Sequence, residues 1–251
     1  MRNKFMRLAV LMAVCFSLMA AGISADNVSD KQFESDLQKA TVTLYTSTEE
    51  GDMIPICSAV AFKRDVNTYL FITSSDCVAD NIVLREFGDL IAEMDFYLAF
   101  NEAGQVEMFP AKLAAIFLSS QPYGGGFVFF QSVLYRNIPV IPLATGETYV
   151  GEKLVNFSPV GNPGKPLFNG SVTEPKLEVP LFLNGMPNSN IAVLNFDLNN
   201  GAKLSVADPV IVSRDRRAIV AIFMGTADYL GMEQPVAVPI RRIFFPSNYT
   251  K

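Results

Sequence analysis

The sequence predicts an all-β protein built as two six-stranded antiparallel β-barrels, with short peripheral helices. Three observations carry this expectation. Short alternating or wholly apolar segments, of strand rather than helix length, recur along the chain. Turn signals rich in Gly, Asn, Asp and Pro separate them. A Pro- and Gly-punctuated stretch, 139–151, divides them into two sets of about six.

The first set begins after an N-terminal export signal. Arg2, Lys4 and Arg7 form a positive region, 8–22 is an apolar run, and Ile23-Ser24-Ala25 supplies small residues before Asp26. The competing reading is a retained membrane anchor, although the run is short for a spanning helix. Residues 27–40 predict a helix, with Ser29 or Asp30 as cap and Phe33 and Leu37 on one face. Strands follow at 41–45, 58–62 and 69–73. The spacing of Val83, Phe87, Leu90, Ile91 and Met94 then predicts one helical interruption. Segments 96–100, 108–117 and 127–133 complete the first set.

The second set comprises 153–157, 170–173, 191–196, 209–212, 218–223 and 236–238. Turns at 161–164, 199–201 and 214–215 punctuate it. The expected organisation is a signal peptide over 1–25, an N-terminal helix over 26–40, a first barrel over 41–140 and a second barrel with a C-terminal segment over 141–251.

Composition restricts the chemistry. The 251 residues carry a net charge of −5 and no basic stripe, which excludes a nucleic-acid partner. No apolar run long enough to span a bilayer follows the signal. The chain has no histidine, so the commonest general base and the commonest metal ligand near neutral pH are missing. Cleavage of the signal removes Cys15 and leaves Cys57 and Cys77, an even pair read as a disulfide in an oxidising compartment. Two buried free thiols are the alternative. Two thiols without an imidazole make a poor metal site, and no cofactor is expected.

Six segments resemble, in order, the chymotrypsin-like serine proteases, in particular the bacterial HtrA/Deg-type branch. "CSAVAF" (57–62) and "YLFITSSDCV" (69–78) resemble the hairpin that ends in that family's Thr-Ala-Ala-His-Cys signature. "YLAFNEAGQVEMFPAKLAAIFLSSQP" (97–122) and "FVFFQSV" (127–133) resemble the strands flanking the catalytic Asp. "VGEKLVNFSPVGNPGK" (150–165) with "NGSVT" (169–173), "DPVIVSRDRRAIVAIF" (208–223) and "VAVPIRRI" resemble the second barrel. The resemblance spans roughly residues 38–245. The chain then ends a few residues after the last barrel strand, where the family's PDZ domain is expected to be missing.

Carried over residue by residue, the triad does not hold. Asp76 stands at the His position, Gly126 at the Asp position and Val206 at the Ser position, with Ala207 and Asp208 in place of two glycines. Ser205 reaches the nucleophile position only by a one-residue slip. A carboxylate at Asp76 is too weak a base toward a serine hydroxyl, and a turn-capping role suits it better. Lys203 and Ser205 are a remote candidate for a Ser-Lys dyad.

The resemblance therefore implies no enzyme but a degenerate homologue, exported to the periplasm or secreted. It would bind a protein partner or serve as a structural module of the cell envelope. A peptide-capturing, chaperone-like role and, less well supported, a hydrolase with a non-classical site are the alternatives. The expected binding groove comprises Gly124, Gly125, Gly126, Ser205, Val206 and Ala207, with Val206 and Ala207 as an apolar floor beside an unpaired strand edge.

Overall fold

In the computed structural model the described residues are 30–48, 50–78, 82–84, 90–92, 95–102, 105–117, 126–159, 168–183, 186–198, 204–229 and 232–240. The signal segment, Gly124, Gly125, Lys203, the turns at 161–164 and 199–201 and the end of the chain lie outside them.

Helix α1 (Asp30–Ala40) buries Phe33, Leu37 and Ala40, a single stripe of the 3.6-residue period. Asp30 in its first turn and Lys39 in its last suit the helix dipole. The Thr41 hydroxyl donates to the Leu37 carbonyl at 2.7 Å and satisfies one of the orphan acceptors at the helix end. The β-branched run Thr41-Val42-Thr43 then turns the chain into a strand.

Six antiparallel strands close the first barrel: β1 (Thr41–Ser47), β2 (Met53–Asp65), β3 (Thr68–Ser74), β6 (Phe96–Glu102), β7 (Gln105–Phe117) and β8 (Phe127–Val133), in the order β1-β2-β3-β8-β7-β6. Closure pairs every strand of the barrel with two neighbours. Phenylalanines fill the interior. Phe62 and Phe129 have ring centroids 4.7 Å apart, and Phe96 and Phe130 4.9 Å apart. Phe130 is fully buried, so truncation to alanine would cost about 3–5 kcal/mol.

Between β3 and β6, where a helix is expected over residues 83–94, the described residues are extended. Two three-residue strands, β4 (Ile82–Leu84) and β5 (Leu90–Ala92), pair as a hairpin with Val83 opposite Ile91. Val83, Leu90 and Ile91 satisfy a helical spacing equally well, and Phe87 and Met94 lie outside the described residues. The β-branched Ile82, Val83 and Ile91 favour the extended form.

The second barrel comprises β9 (Lys153–Asn156), β10 (Phe168–Leu183), β11 (Met186–Leu198), β12 (Val210–Ser213), β13 (Ala218–Tyr229) and β14 (Met232–Pro239), closed in the order β10-β11-β14-β13-β12-β9. Its core gathers Leu154, Phe168, Val172, Leu194, Phe196, Ile211 and Phe223. Strand β10 runs ten residues past Thr173 (183 − 173), through Glu174-Pro175-Lys176, because register shifts there absorb the proline as a bulge.

One apolar cluster spans both barrels: Phe62 and Phe129 of the first share it with Val155, Phe157, Val210 and Ile222 of the second. The connector stitches the barrels together. Ile141 N–H donates to the Ala61 carbonyl at 2.9 Å, and Ala144 N–H to that of Ile219 at 2.8 Å. The fully buried Glu152 takes a two-pronged ion pair from Arg216, at 2.6 and 2.9 Å.

Candidate functional site

The site is assembled from three turns, each fixed by a neighbouring strand. At the end of β3 the chain turns through Ser74, Ser75, Asp76 and Cys77. The Asp76 N–H donates to the Ser74 hydroxyl oxygen at 3.2 Å, and the Asp76 side chain is exposed. A disulfide joins Cys77 to Cys57 of β2, with their Cα atoms 6.0 Å apart. It pins this turn against the middle of a buried strand.

Gly126 directly precedes β8. Its N–H donates to the Ser75 hydroxyl oxygen at 3.1 Å, and its carbonyl accepts the Ser75 N–H at 3.1 Å. Asp76 and Gly126, far apart in sequence, are thereby brought together.

The third turn, Ser205 to Asp208, comes from the second barrel. Asp208 N–H donates to the Ser205 carbonyl at 2.9 Å, and Ala207 N–H to the Ser205 hydroxyl oxygen at 3.1 Å. The Val206 carbonyl oxygen lies 3.7 Å from Cys77 Sγ and 3.8 Å from Cys57 Sγ. Joined sulfurs carry no S–H, so these are sulfur–oxygen contacts and not hydrogen bonds. The Ser58 N–H donates to the Ala207 carbonyl at 2.6 Å, directly across the barrel interface. Asp76, Gly126 and Val206 thus converge on one place between the barrels.

One expectation about this place needs correction. Val206 is no floor: its side chain is 58% exposed at the tip of the turn, because its carbonyl and not its side chain faces the disulfide. The Ser205 hydroxyl is engaged as a turn acceptor. Gly124, Gly125 and Lys203 fall outside the described residues.

Asp208 is the residue whose role the sequence concealed. Its half-buried carboxylate accepts hydrogen bonds from the hydroxyls of Ser58, in the first barrel, and Ser158, in the second. Burial pushes its carboxyl above the usual carboxylate range, and the two hydroxyls offset part of that. The available signal was a serine next to Cys57 in an otherwise apolar strand.

Beside this turn lies a free strand edge. Strand β12 pairs with β13 only as far as Val210 opposite Ile222, and the Phe223 N–H donates to the Pro209 carbonyl at 2.7 Å. Strand β13 continues to Tyr229, paired with β14 on its other side. Its β12-facing edge from Met224 onward has no strand partner among the described residues. Gly225, at φ +121°, sits at the register shift where this edge bends.

A cleft of about 770 Å³ lies elsewhere, between α1 and the β12–β13 turn, lined by Asp30, Lys153, Asn169, Arg214, Asp215 and Arg217. Arg214 pairs with Glu34 and Asn169, and Arg217 with Asp30 at 4.0 Å. That pairing makes it a seam that ties the helix to the second barrel. Among the described residues no group of three His, Cys, Asp or Glu side chains is placed to hold a metal.

No family model and no curated protein matches the chain. Solved structures do. The chain is similar to Rv3671c from M. tuberculosis H37Rv, as the inactive form of a serine-to-alanine mutant: 12% identity and a TM-score of 0.51, over 84% of this chain and 85% of that one. It is also similar to the Rv3671c protease in an inactive form, at 10% identity and a TM-score of 0.52, over 86% and 90% of the two chains. This chain has the chymotrypsin-like serine-protease fold. The expectation of no enzyme is thereby corrected: the solved chains that share the fold are described as a protease, with one inactive form made by mutation. The likeness is one of fold, and the catalytic groups of those chains are not transferred to this one.

Proposed function

We propose that the chain is an exported protein-binding module that receives an extended segment of a protein partner along β13, between the two barrels. The free β13 edge beside the Ser205–Asp208 turn carries this reading. An unpaired row of backbone N–H and C=O groups is a template for strand addition, where main-chain hydrogen bonds give affinity and neighbouring side chains give selectivity. The exposed Val206 offers an apolar contact at one end of that edge. Export is supported by the N-terminal signal pattern and by the Cys57–Cys77 disulfide.

The test is a selection of peptides from a random library on the purified exported chain, followed by amide hydrogen exchange with and without a selected peptide. Exchange over 224–229 is expected to slow on binding. The variant Thr226→Pro, which removes one backbone N–H donor from β13, is expected to weaken binding about tenfold, the effect of losing about 1.4 kcal/mol. Peptide binding that leaves exchange at β13 unchanged sinks the reading. Mass spectrometry of the same mixtures shows whether the bound peptide is released intact or cut.

A further inference from the structure

We propose that the end of the first barrel bearing Val66, Val133 and Tyr135 docks on an anionic lipid surface. The β2–β3 hairpin turns through Val66 and Asn67, and the Leu134 N–H donates to the Asn67 carbonyl at 2.8 Å. Strand β8 and Tyr135 beyond it are thereby held at the same end of the barrel. Thr68 stands opposite both Asp65 and Val133 in the register. Val66 is 77% exposed, Tyr135 87% and Val133 48%. Three large side chains projecting at one end are more than the scattered apolar exposure of an ordinary surface.

The backbone sharpens the point. Val66 has φ +54°, a left-handed conformation that β-branched residues avoid. A glycine or asparagine would fit that turn without strain. The chain instead keeps a valine there and presents it to solvent.

Charge complementarity identifies the occupant. The register places Lys63, Leu70, Gln131 and Lys112 in one row across β2, β3, β8 and β7. Among the described residues neither Lys63 nor Lys112 has an acidic partner within ion-pair distance. Arg64 donates to the Val66 carbonyl at 2.5 Å and to Asn137, both uncharged groups. Arg136, next to Tyr135, is paired with Glu107 at 3.3 Å, which leaves Lys63, Arg64 and Lys112 in excess over Asp65 at this end of a chain whose net charge is −5. An apolar tip with a cationic row behind it matches the acyl boundary and the headgroups of an anionic bilayer. Tyrosine suits that interface, since its ring is apolar and its hydroxyl is wet. An acidic protein would satisfy the cations, but would give no reason for three apolar side chains at the tip.

The chain contains no tryptophan, so Tyr135→Trp in the full exported chain installs a single reporter indole at the tip. Vesicles of phosphatidylcholine mixed with phosphatidylglycerol are expected to shift its emission to the blue and to shield it from acrylamide. Pure phosphatidylcholine vesicles are expected to do neither. Each lysine near an anionic surface is worth about fivefold, so Lys63→Gln with Lys112→Gln is expected to weaken vesicle affinity about 25-fold. Val66→Ser is expected to weaken it without changing the salt dependence. An indole that stays fully quenchable while the chain sediments with vesicles overturns the proposal, because another segment then holds the membrane. An equal shift with pure phosphatidylcholine also overturns it, and a shift produced by polyglutamate but not by vesicles assigns the face to an acidic protein.

Discussion

Ser75 and Gly126 hold each other through a reciprocal pair of hydrogen bonds, each 3.1 Å long, and so join the turn after β3 to the start of β8. One of the two bonds uses the Ser75 hydroxyl, and both residues are buried. Ser75→Ala would leave the Gly126 N–H buried without an acceptor, which costs about 1–3 kcal/mol. Urea denaturation should show that loss, with faster amide exchange at Gly126. An unchanged midpoint would mean that water replaces the hydroxyl and that the pair does not hold the two turns together.

The disulfide acts on both states of the chain. Its sequence separation of 20 residues corresponds to about 3 kcal/mol from restriction of the unfolded ensemble. In the folded protein its sulfurs also rest against the Val206 carbonyl. Replacing both cysteines with serine is expected to lower stability by about 3 kcal/mol and to speed exchange in the 205–208 turn. If stability falls while that turn exchanges as before, the disulfide acts on the unfolded chain alone.

The hairpin turn at Val66 gives a prediction of the opposite sign. A left-handed backbone costs an L-residue roughly 1–2 kcal/mol, while glycine adds about 0.5–1 kcal/mol of unfolded-state entropy. Val66→Gly is therefore expected to stabilise the chain by about 0.5–1 kcal/mol, since the exposed side chain loses little packing. Thermal denaturation decides it, and a lower midpoint would show that the valine packs more than its exposure implies.

Local patterns made much of the fold legible. The apolar Phe127-Val128-Phe129-Phe130 followed by Gln131-Ser132-Val133 gives β8 at the bounds its sequence suggests, its first half buried throughout and its end alternating. Residues 83–94 misled because Val83, Leu90 and Ile91 fit a helical face and two short strands alike, and pairing decided between them. The strand expected over 170–173 stops short of the polar Glu174-Pro175-Lys176, yet β10 bulges through it. At the site, the position of Asp76 next to Cys77 was readable from a local motif. Asp208 was not, since Ser58 and Ser158, which make it a shared acceptor, meet it only once the barrels have packed.

Glu152 and Arg216 test how the connector is held. The carboxylate is fully buried, takes both guanidinium prongs and accepts the Tyr149 N–H at 3.3 Å. Arg216 also donates to the Gly146 carbonyl at 2.8 Å. Arg216→Met would leave a buried carboxylate without its cation, which costs about 3–5 kcal/mol. Replacing both partners, Glu152→Met with Arg216→Met, is expected to cost far less, because no lone charge remains. If the double variant is as unstable as the single one, packing of the guanidinium rather than charge pairing holds the connector.

Asp208 sets the expected pH dependence. Burial raises its carboxyl above the ordinary value of 3.8, and the Ser58 and Ser158 hydroxyls lower it by less. A carboxyl raised in the folded state favours folding while it is protonated. Its contribution is therefore fully present below the unfolded value and is lost as pH rises through the folded one. Asp208→Asn removes that titration while keeping one carbonyl acceptor for the serines. Relative to the variant, the natural chain is expected to lose stability as pH rises from about 3 to about 7, read from urea midpoints at a series of pH values. The opposite slope, with the natural chain gaining on the variant, would show that the two serine hydroxyls outweigh burial. In that case the turn is held to the first barrel chiefly by a charged acceptor, and Ser58→Ala should abolish the slope together with the Ser58 bond.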